Sequence, residues 1–477
     1  MELKGKRVLV VGLGRSGLAA ALFLRRQGAQ VTVSDMRSAK ALELEIPMLL
    51  EEGIAVEAGG HGLLTFRRQD LLVLSPGVPL DTPEIRQVRA FGQQIVGEVE
   101  LASRFLKGRT LAITGSNGKT TTTTLCGAIL AASGVPTVVG GNIGVPVVAL
   151  TDASRDEGWN VLEISSFQLE TIDTFRPEIA VLLNITPDHL DRHGSFEKYR
   201  EAKERIFANQ TAADFLVLNA DDDVTHRAAA RAQSQVFWFS RKRVVRQGAF
   251  VHEGVVMFRA TESGPAEPVL PVAAIPLKGV HNLENVLAAV VATRLAGVPA
   301  EVIHATVSSF QAVEHRLEFV ADVRGVAYYN DSKATNVDAA AKAVSSFPAG
   351  VHLILGGKDK DSDYRALLPL IRERVRAVYT IGAAAAKIES HLDVLREQAG
   401  AIPVVRADTL ERAVALASES ATPGETVLLA PACSSFDQFR DYEQRGERFK
   451  DLVRALPLAT AQAPVETSDL EATRQGS

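Results

Sequence analysis

Residues 111–125 read LAITGSNGKTTTTTL. An apolar run, Leu111 to Ile113, enters a loop with glycines at 115 and 118, and Lys119, Thr120 and Thr121 follow directly. From Leu125 to Ala132 the spacing is helical. The pattern predicts a strand, a phosphate-binding loop and a helix. Glycines let the backbone N–H groups of Gly115, Ser116, Asn117 and Gly118 turn inward around phosphate oxygens, and the helix N-terminus adds partial positive charge. Lys119 can reach the terminal phosphates, and the Thr120 hydroxyl is placed to hold Mg²⁺. The loop is a shorter variant of G-x-x-x-x-G-K-[ST], because the first glycine of that pattern would fall at Ile113.

Upstream, Arg7 to Val11 is an apolar run followed by Gly12-Leu13-Gly14-Arg15-Ser16-Gly17, a helical stretch to about Gln27, and a second run from Gln30 ending at Asp35. This matches the dinucleotide-binding fingerprint and raises a nicotinamide dehydrogenase as a hypothesis. Only one more clear strand, residues 71–75, follows before Gly77, and the unit closes by about Gly97. A half-Rossmann unit of that size suits one nucleotide diphosphate, since the same glycines serve any pyrophosphate.

Downstream of the loop, each apolar run ends in a polar cluster: Glu163 before Ser165-Ser166-Phe167-Gln168, then Asn184 to Asp191 with His189, then Asn219 to Asp222. In parallel sheets ligands bind at the carboxyl strand ends, so these clusters line one crevice with the loop. In the segment 196–207, Phe196, Tyr199, Ile206 and Phe207 form a helical stripe with Lys203 in its middle. Such a lysine either snorkels or is a buried amine of shifted pKa, able to react with CO₂ and become an anionic metal ligand. Asn282 and Asn285 stand one turn apart at a helix start, where capping accounts for one of them. A third α/β unit from about Val313 repeats the strand-end pattern at 330–336, 356–360 and 430–439 and predicts a second substrate site that closes on the first.

At 477 residues the chain predicts about three domains. These are residues 1–97, 98–312 and 313–456, with a disordered tail at 457–477. The net charge of −5 offers no broad positive field for nucleic acid. The N-terminus runs straight into a strand, which predicts a cytoplasmic protein without a membrane segment. Cys126 and Cys433 lie far apart and read as small buried hydrophobes.

Taken together, TGSNGKTTTT, GGNIG (140–144), LEISSFQLE (162–170), LNITPDHLDRHG (183–194), YREAKERIF (199–207), HNLENV (281–286), EHRLE (314–318), NDSKATN (330–336), LGGKDK (355–360) and PACSSFDQF (431–439) closely resemble the Mur ligase family of peptidoglycan synthesis, from Gly5 to about Leu456. NDSKATN, the two lysines and the PACSSFDQF loop fit its D-glutamate-adding branch. The resemblance implies a small Rossmann-like unit, a central P-loop sheet and a C-terminal Rossmann-like unit. It implies ATP-dependent amide formation on UDP-N-acetylmuramoyl-L-alanine through an acyl phosphate, and nothing in the sequence demands more than a monomer. Gly14, Arg15, Ser16, Gly17, Arg37 and Gly77 would hold the UDP portion, and Asn142 and His189 would approach the acceptor carboxyl end. Gly115 to Thr121, Asn282, Asn285, Arg316 and Asp331 would bind ATP. Lys333, Thr335, Lys360, Ser435 and Tyr442 would bind D-glutamate. Thr120 and Glu163 would hold one Mg²⁺, and Glu163, His189 and carbamylated Lys203 a second; Lys119, His189 and Lys203 would be catalytic. Met36 and Tyr442 depart from the family pattern, where some relatives carry Thr and Phe. The rival readings are another amino-acid-adding Mur ligase or a folylpolyglutamate synthase, against both of which NDSKATN argues, and, from other classes, a nucleotide-dependent switch and a dinucleotide-dependent oxidoreductase.

Overall fold

The computed structural model describes residues 1–277, 279–311, 314–395 and 401–457. The expected disordered tail falls, beyond its first residue, outside them. The chain divides into two compact bodies, residues 1–314 and the remainder from His315. Among the described residues three sheets build them, two in the first body and one in the second.

The first sheet holds β1 (Arg7–Val11), β2 (Gln30–Asp35), β3 (Ala55–Ala58), β4 (Leu71–Leu74) and β5 (Gln94–Gly97), all parallel in the order β3-β2-β1-β4-β5. β1, β2 and β4 are the strands that the sequence signals. β3 and β5 extend the sheet beyond that expectation, being four-residue edge strands too short to carry a period. The helix Arg15–Arg26 leans so close to β1 that a Cβ at Gly17 would stand 1.9 Å from the Gly12 carbonyl oxygen. Only glycine fits there, which explains the third glycine of the fingerprint.

The second sheet follows with β6 (Arg109–Thr114), β7 (Thr137–Gly141), β8 (Trp159–Glu163), β9 (Ile179–Leu182), β10 (Phe215–Asn219), β11 (Gln235–Ser240), β12 (Gly248–His252), β13 (Val255–Arg259) and β14 (Ala266–Pro271). Its order is β14-β13-β12-β11-β10-β9-β6-β8-β7, parallel from β7 to β12 and antiparallel in the β12–β14 ribbon. The chain leaves β6 through the helix Lys119–Ala132, fills the β7–β8 side, then returns to the other side of β6 as β9. The loop 115–118 therefore opens at the topological switch point of the sheet. The helix Val280–Leu295 covers one face, with residues 286–292 all buried, as expected for a helix apolar all round. On the other face Leu162 and Ile164 share one apolar core with Val8 and Val10 of the first sheet and Leu24 of the helix Arg15–Arg26, bridged by Val147 and Val148.

In the second body, β15 (Glu318–Val323), β16 (Val326–Asn330), β17 (Val351–Gly356), β18 (Val375–Ile381), β19 (Val404–Asp408) and β20 (Thr426–Leu429) form the order β15-β16-β20-β17-β18-β19. All pairs are parallel except β15 with β16. Apolar clusters lie on both faces, one around Leu353, Leu355 and Leu428, the other around Ile354, Tyr379 and Phe449. The two cysteines are buried and unbridged, and burial pushes the Cys433 thiol up to about 12. Among the described residues no helix is long and apolar enough to cross a membrane.

Candidate active site

The loop after β6 is held by the segment that follows β9. Ser116 N donates to Asn184 O at 2.9 Å, Asn117 N to Asn184 Oδ1 at 2.8 Å, and Asn184 Nδ2 back to Asn117 O at 3.0 Å. The Ser116 hydroxyl donates to Thr186 O, accepts from Thr186 N, both at 2.9 Å, and meets the Tyr199 hydroxyl at 3.0 Å. This clamp fixes the loop backbone in advance, and it engages with Asn184 the Ser116 and Asn117 N–H groups that the sequence reading turns toward phosphate. Gly118 has φ +88°, and a Cβ there would stand 2.2 Å from Asn285 Oδ1. The helix bearing Asn282 and Asn285 is thereby placed against the loop. Neither asparagine caps that helix, whose N-cap is Gly279; Asn285 Nδ2 instead donates to Asn282 Oδ1 at 3.1 Å and both are buried.

Lys119 and Lys203 converge on one atom. The Gly115 carbonyl accepts from Lys119 Nζ at 2.8 Å and from Lys203 Nζ at 2.7 Å, so the amines cannot be farther apart than these two bonds laid end to end. Lys203 is 1% exposed, on the helix Phe196–Glu204, with its amine 4.8 Å from the centre of the Tyr199 ring. Burial first, and the charge of Lys119 second, hold its pKa well below the usual lysine range, while Asp188 and Glu163 oppose them. Of the two readings of this lysine, the buried amine is the one the structure adopts.

Glu163, at the end of β8, accepts from Asn142 Nδ2 on Oε1 at 2.8 Å, whereas its Oε2 is buried and without a hydrogen bond. The Thr120 hydroxyl is also buried and unpaired. Two orphaned oxygens of these types at the mouth of a phosphate loop are a costly arrangement in a bare protein and suit a hard, oxygen-seeking cation. His189 adopts a left-handed backbone, φ +53°, with its ring edge-on to Phe167 at 4.9 Å. His193 is more deeply set: its Nε2 meets Ser166 Oγ at 3.0 Å and its Nδ1 lies 3.2 Å from Glu170.

In the first sheet the acidic residue of the fingerprint is already engaged. Asp35 accepts from Leu13 N at 2.6 Å and from Arg37 N, Nε and Nη2 at 2.8–3.1 Å. Burial pushes its carboxyl up, but these donors outweigh it and hold it below its ordinary value. Arg37 also donates to Leu13 O at 3.0 Å, so a salt bridge props the glycine loop from the side where an adenine ribose would need a free carboxylate. Arg15 donates to Gly144 O and ties that loop to the GGNIG turn. Gly14 and Gly77 have open space where a side chain would be.

In the second body, the segments 330–336, 356–360 and 431–439 follow β16, β17 and β20. Lys333 Nζ donates to the Tyr442 hydroxyl at 2.6 Å and stands 4.2 Å from the centre of its ring. The loop of Lys360 is secured by Asp359, which accepts from Tyr364 OH and from Lys387 Nζ, both at 2.7 Å. Ser435 and Asp331 are buried. Burial pushes the Asp331 carboxyl up to about 6 against the pull of Arg316 and the Leu317 N–H.

The sequence matches three family domains: the MurD-like Mur ligase N-terminal domain over residues 6–97, the Mur ligase middle domain over 113–293, and the Mur ligase glutamate ligase domain over 315–433. The chain belongs to the Mur ligase family. It is 72% identical over 461 residues, 97% of this chain and 99% of the other, to the UDP-N-acetylmuramoylalanine–D-glutamate ligase of Acidobacterium capsulatum. A protein of the same name from Koribacter versatilis is 59% identical, over 96% of this chain and 99% of that one. The UDP-N-acetylmuramate–alanine ligase MurC of Thermotoga maritima shares the fold at TM-score 0.59 and 18% identity, covering 94% of this chain and 99% of that chain. So does the MurF ligase of the same organism, solved with ADP, at TM-score 0.56 and 16% identity, covering 95% and 96%.

In this Mur ligase the sequence reading leaves Arg445 out of the site, and it names Asn184 at the crevice and Tyr199 on the Lys203 helix without their contacts to the loop. Asn184 and Tyr199 act through Ser116 and Asn117, contacts that join residues 67 and 83 apart in the chain and leave no local signal. Arg445 is wholly buried beneath the loops of Lys333 and Ser435. Its signal is present, since it interrupts the apolar stripe of Tyr442, Phe449 and Val453 as Lys203 interrupts its own.

Proposed function

We propose that this Mur ligase adds D-glutamate to UDP-N-acetylmuramoyl-L-alanine, using ATP and forming an acyl phosphate. The observation that carries the reading is the 72% identity across nearly the whole chain to a protein named for that reaction. The alanine carboxylate attacks the γ-phosphorus and ADP leaves; the neutral amine of D-glutamate then attacks the acyl carbon and phosphate leaves. The task is charge neutralisation and alignment rather than covalent catalysis by the protein.

Lys119, which rests on its own loop carbonyls at Gly115 and Ser116, exchanges them for γ-phosphate oxygens when ATP enters. The UDP portion lies on Gly14, Arg15, Ser16, Gly17, Arg37 and Gly77, and Asn142 and His189 meet the acceptor end. The nucleotide is held by the loop 115–121 with Asn282, Asn285, Arg316 and Asp331. Thr120 and Glu163 hold one Mg²⁺, and Glu163, His189 and Lys203 a second. These ions supply charge stabilisation among phosphates and carboxylate. An ammonium cannot ligate a cation, so Lys203 takes part as its carbamate, formed when the neutral amine adds CO₂ and loses a proton; its burial and lowered pKa favour that form. Lys333, Thr335, Lys360, Ser435 and Tyr442 bind D-glutamate, and His189 accepts the proton of the attacking amine. The protein works as a monomer in the cytoplasm.

The deciding assay is phosphate release from ATP with UDP-N-acetylmuramoyl-L-alanine and, in turn, D-glutamate, L-glutamate, L-lysine or meso-diaminopimelate. Release that depends on D-glutamate supports the reading. Release with another acceptor keeps the ligase chemistry and overturns the assignment of Lys333, Lys360 and Ser435. No release with any acceptor returns the nucleotide switch to consideration.

A further inference from the structure

Arg445 lies on the helix Tyr442–Arg454 with no exposed surface. Its Nε donates to Ser332 Oγ at 2.9 Å, its Nη2 to Ser332 O at 2.8 Å and to Cys433 O at 3.2 Å, and its Nη1 to Ser434 O at 3.4 Å. Ser434 O also accepts from Lys358 N at 2.8 Å, and Ser434 Oγ donates to Lys358 O at 3.0 Å. One guanidinium thus joins the segments after β16 and β20 directly, and the segment after β17 through Ser434. These segments carry Lys333 and Thr335, Ser435, and Lys360 respectively.

Among the described residues no carboxylate lies within ion-pair distance of Arg445. Burial lowers its pKa to about 10, which leaves it a cation at neutral pH. The Asp437 carboxylate favours the cation from beyond contact distance; a buried charge without a paired counter-ion is expensive, and an apolar residue of similar volume would close the core at less cost. Loop carbonyls compensate it in part, each being a dipole rather than a charge. The helix also starts at Tyr442, whose carbonyl accepts from Ser332 Oγ at 2.8 Å and whose hydroxyl accepts from Lys333. Both ends of the arrangement therefore point to the same subsite.

We propose that Arg445 is the positioning residue of the amino-acid subsite. It fixes the three segments by their carbonyls, and its only partly compensated charge adds to the attraction for an amino acid bearing two carboxylates. The inference rests on the function proposed above and extends it to a residue that does not itself touch the ligand.

The test is steady-state kinetics of the full chain with each substrate varied in turn. Arg445→Met, which keeps the length and removes the charge, should raise KM for D-glutamate by roughly 10- to 100-fold, as expected for loss of charge-assisted contacts at one subsite. KM for ATP and for the UDP substrate should stay within about two-fold. Arg445→Lys, with the charge but not the fork, should fall between the wild type and Arg445→Met. Ser332→Ala removes one acceptor and leaves the buried cation. It should raise the D-glutamate KM by a few-fold, and it reads the same effect if the Arg445 variants do not fold. A folded Arg445→Met with unchanged D-glutamate KM, or with all three KM values raised alike, overturns the inference, as does an unchanged Ser332→Ala. If the wild type instead uses another amino acid, the proposed function falls, and the same variants decide the inference on that acceptor's KM.

Discussion

Replacing Glu98 by Gln should stabilise the protein above neutral pH and do little in mild acid. Glu98 is 1% exposed at the start of the helix Glu98–Ser103, just after β5. Its Oε1 accepts from Val148 N at 2.6 Å, and its Oε2 is buried with no hydrogen bond. Burial raises its pKa from 4.5 to about 7, although the Val148 and Val147 N–H groups pull the other way. An acid with a raised folded pKa binds more protons folded than unfolded, so its penalty is absent below about 4.5, grows through the interval to 7, and is complete above it. A shift of about 2.5 pH units at 1.36 kcal/mol per unit makes that penalty about 3 kcal/mol. Glutamine keeps the oxygen that accepts from Val148 and does not titrate. The difference in Tm between Glu98→Gln and wild type should rise from about 1 °C at pH 5 to about 5 °C at pH 8.5, at about 1.5 °C per kcal/mol for a body of this size. A difference that stays flat from pH 5 to 9 would refute the reasoning, because an exposed or fully paired carboxylate gives that result.

Lys203→Ala should abolish phosphate release and regain part of it with added short-chain carboxylates. In the wild type, ¹³CO₂ should give a carbamate resonance that the variant lacks, and full activity of the variant would remove the carbamate. Gly118→Ala puts a Cβ against Asn285 Oδ1 in a left-handed backbone, a strain of about 1–2 kcal/mol; Tm should fall by a few degrees and KM for ATP should rise at least about 10-fold, while wild-type values for both would show that the loop relaxes freely. Asp331, raised to about 6 by burial, carries its charge only above that pH. KM for ATP should therefore climb as pH falls below 6, and Asp331→Asn should give a weak but flat profile; parallel profiles for the two would separate Asp331 from nucleotide binding.

What the sequence makes legible is what neighbouring residues determine. The strand, turn and helix at 109–132 and the polar ends of β8, β9, β16, β17 and β20 are local patterns. Lys203 is legible by the same logic, a cation where the period demands an apolar group. The four-residue strands β3 and β5 escape because an edge strand draws its pairing from β2 and β4 rather than from its own composition. The Asn184 clamp escapes because an asparagine after a strand looks the same whether it caps a turn or grips a loop. Asp35 shows the reverse case. Its position fits the nucleotide fingerprint, and its neighbour Arg37 decides that it supports the loop instead.

The apolar core shared by the first two sheets, with Arg15 bonded across to Gly144, makes residues 1–314 a gauge of fixed length. In a ligase working as proposed, the uridine end of a substrate rests on one sheet and its reacting carboxylate must arrive at the mouth of the other. The interval between them is written in packed side chains. Such a molecule measures its substrate before it does any chemistry: an analogue with one unit too many or too few between uridine and carboxylate would be held at its uridine end and still never reach the phosphate.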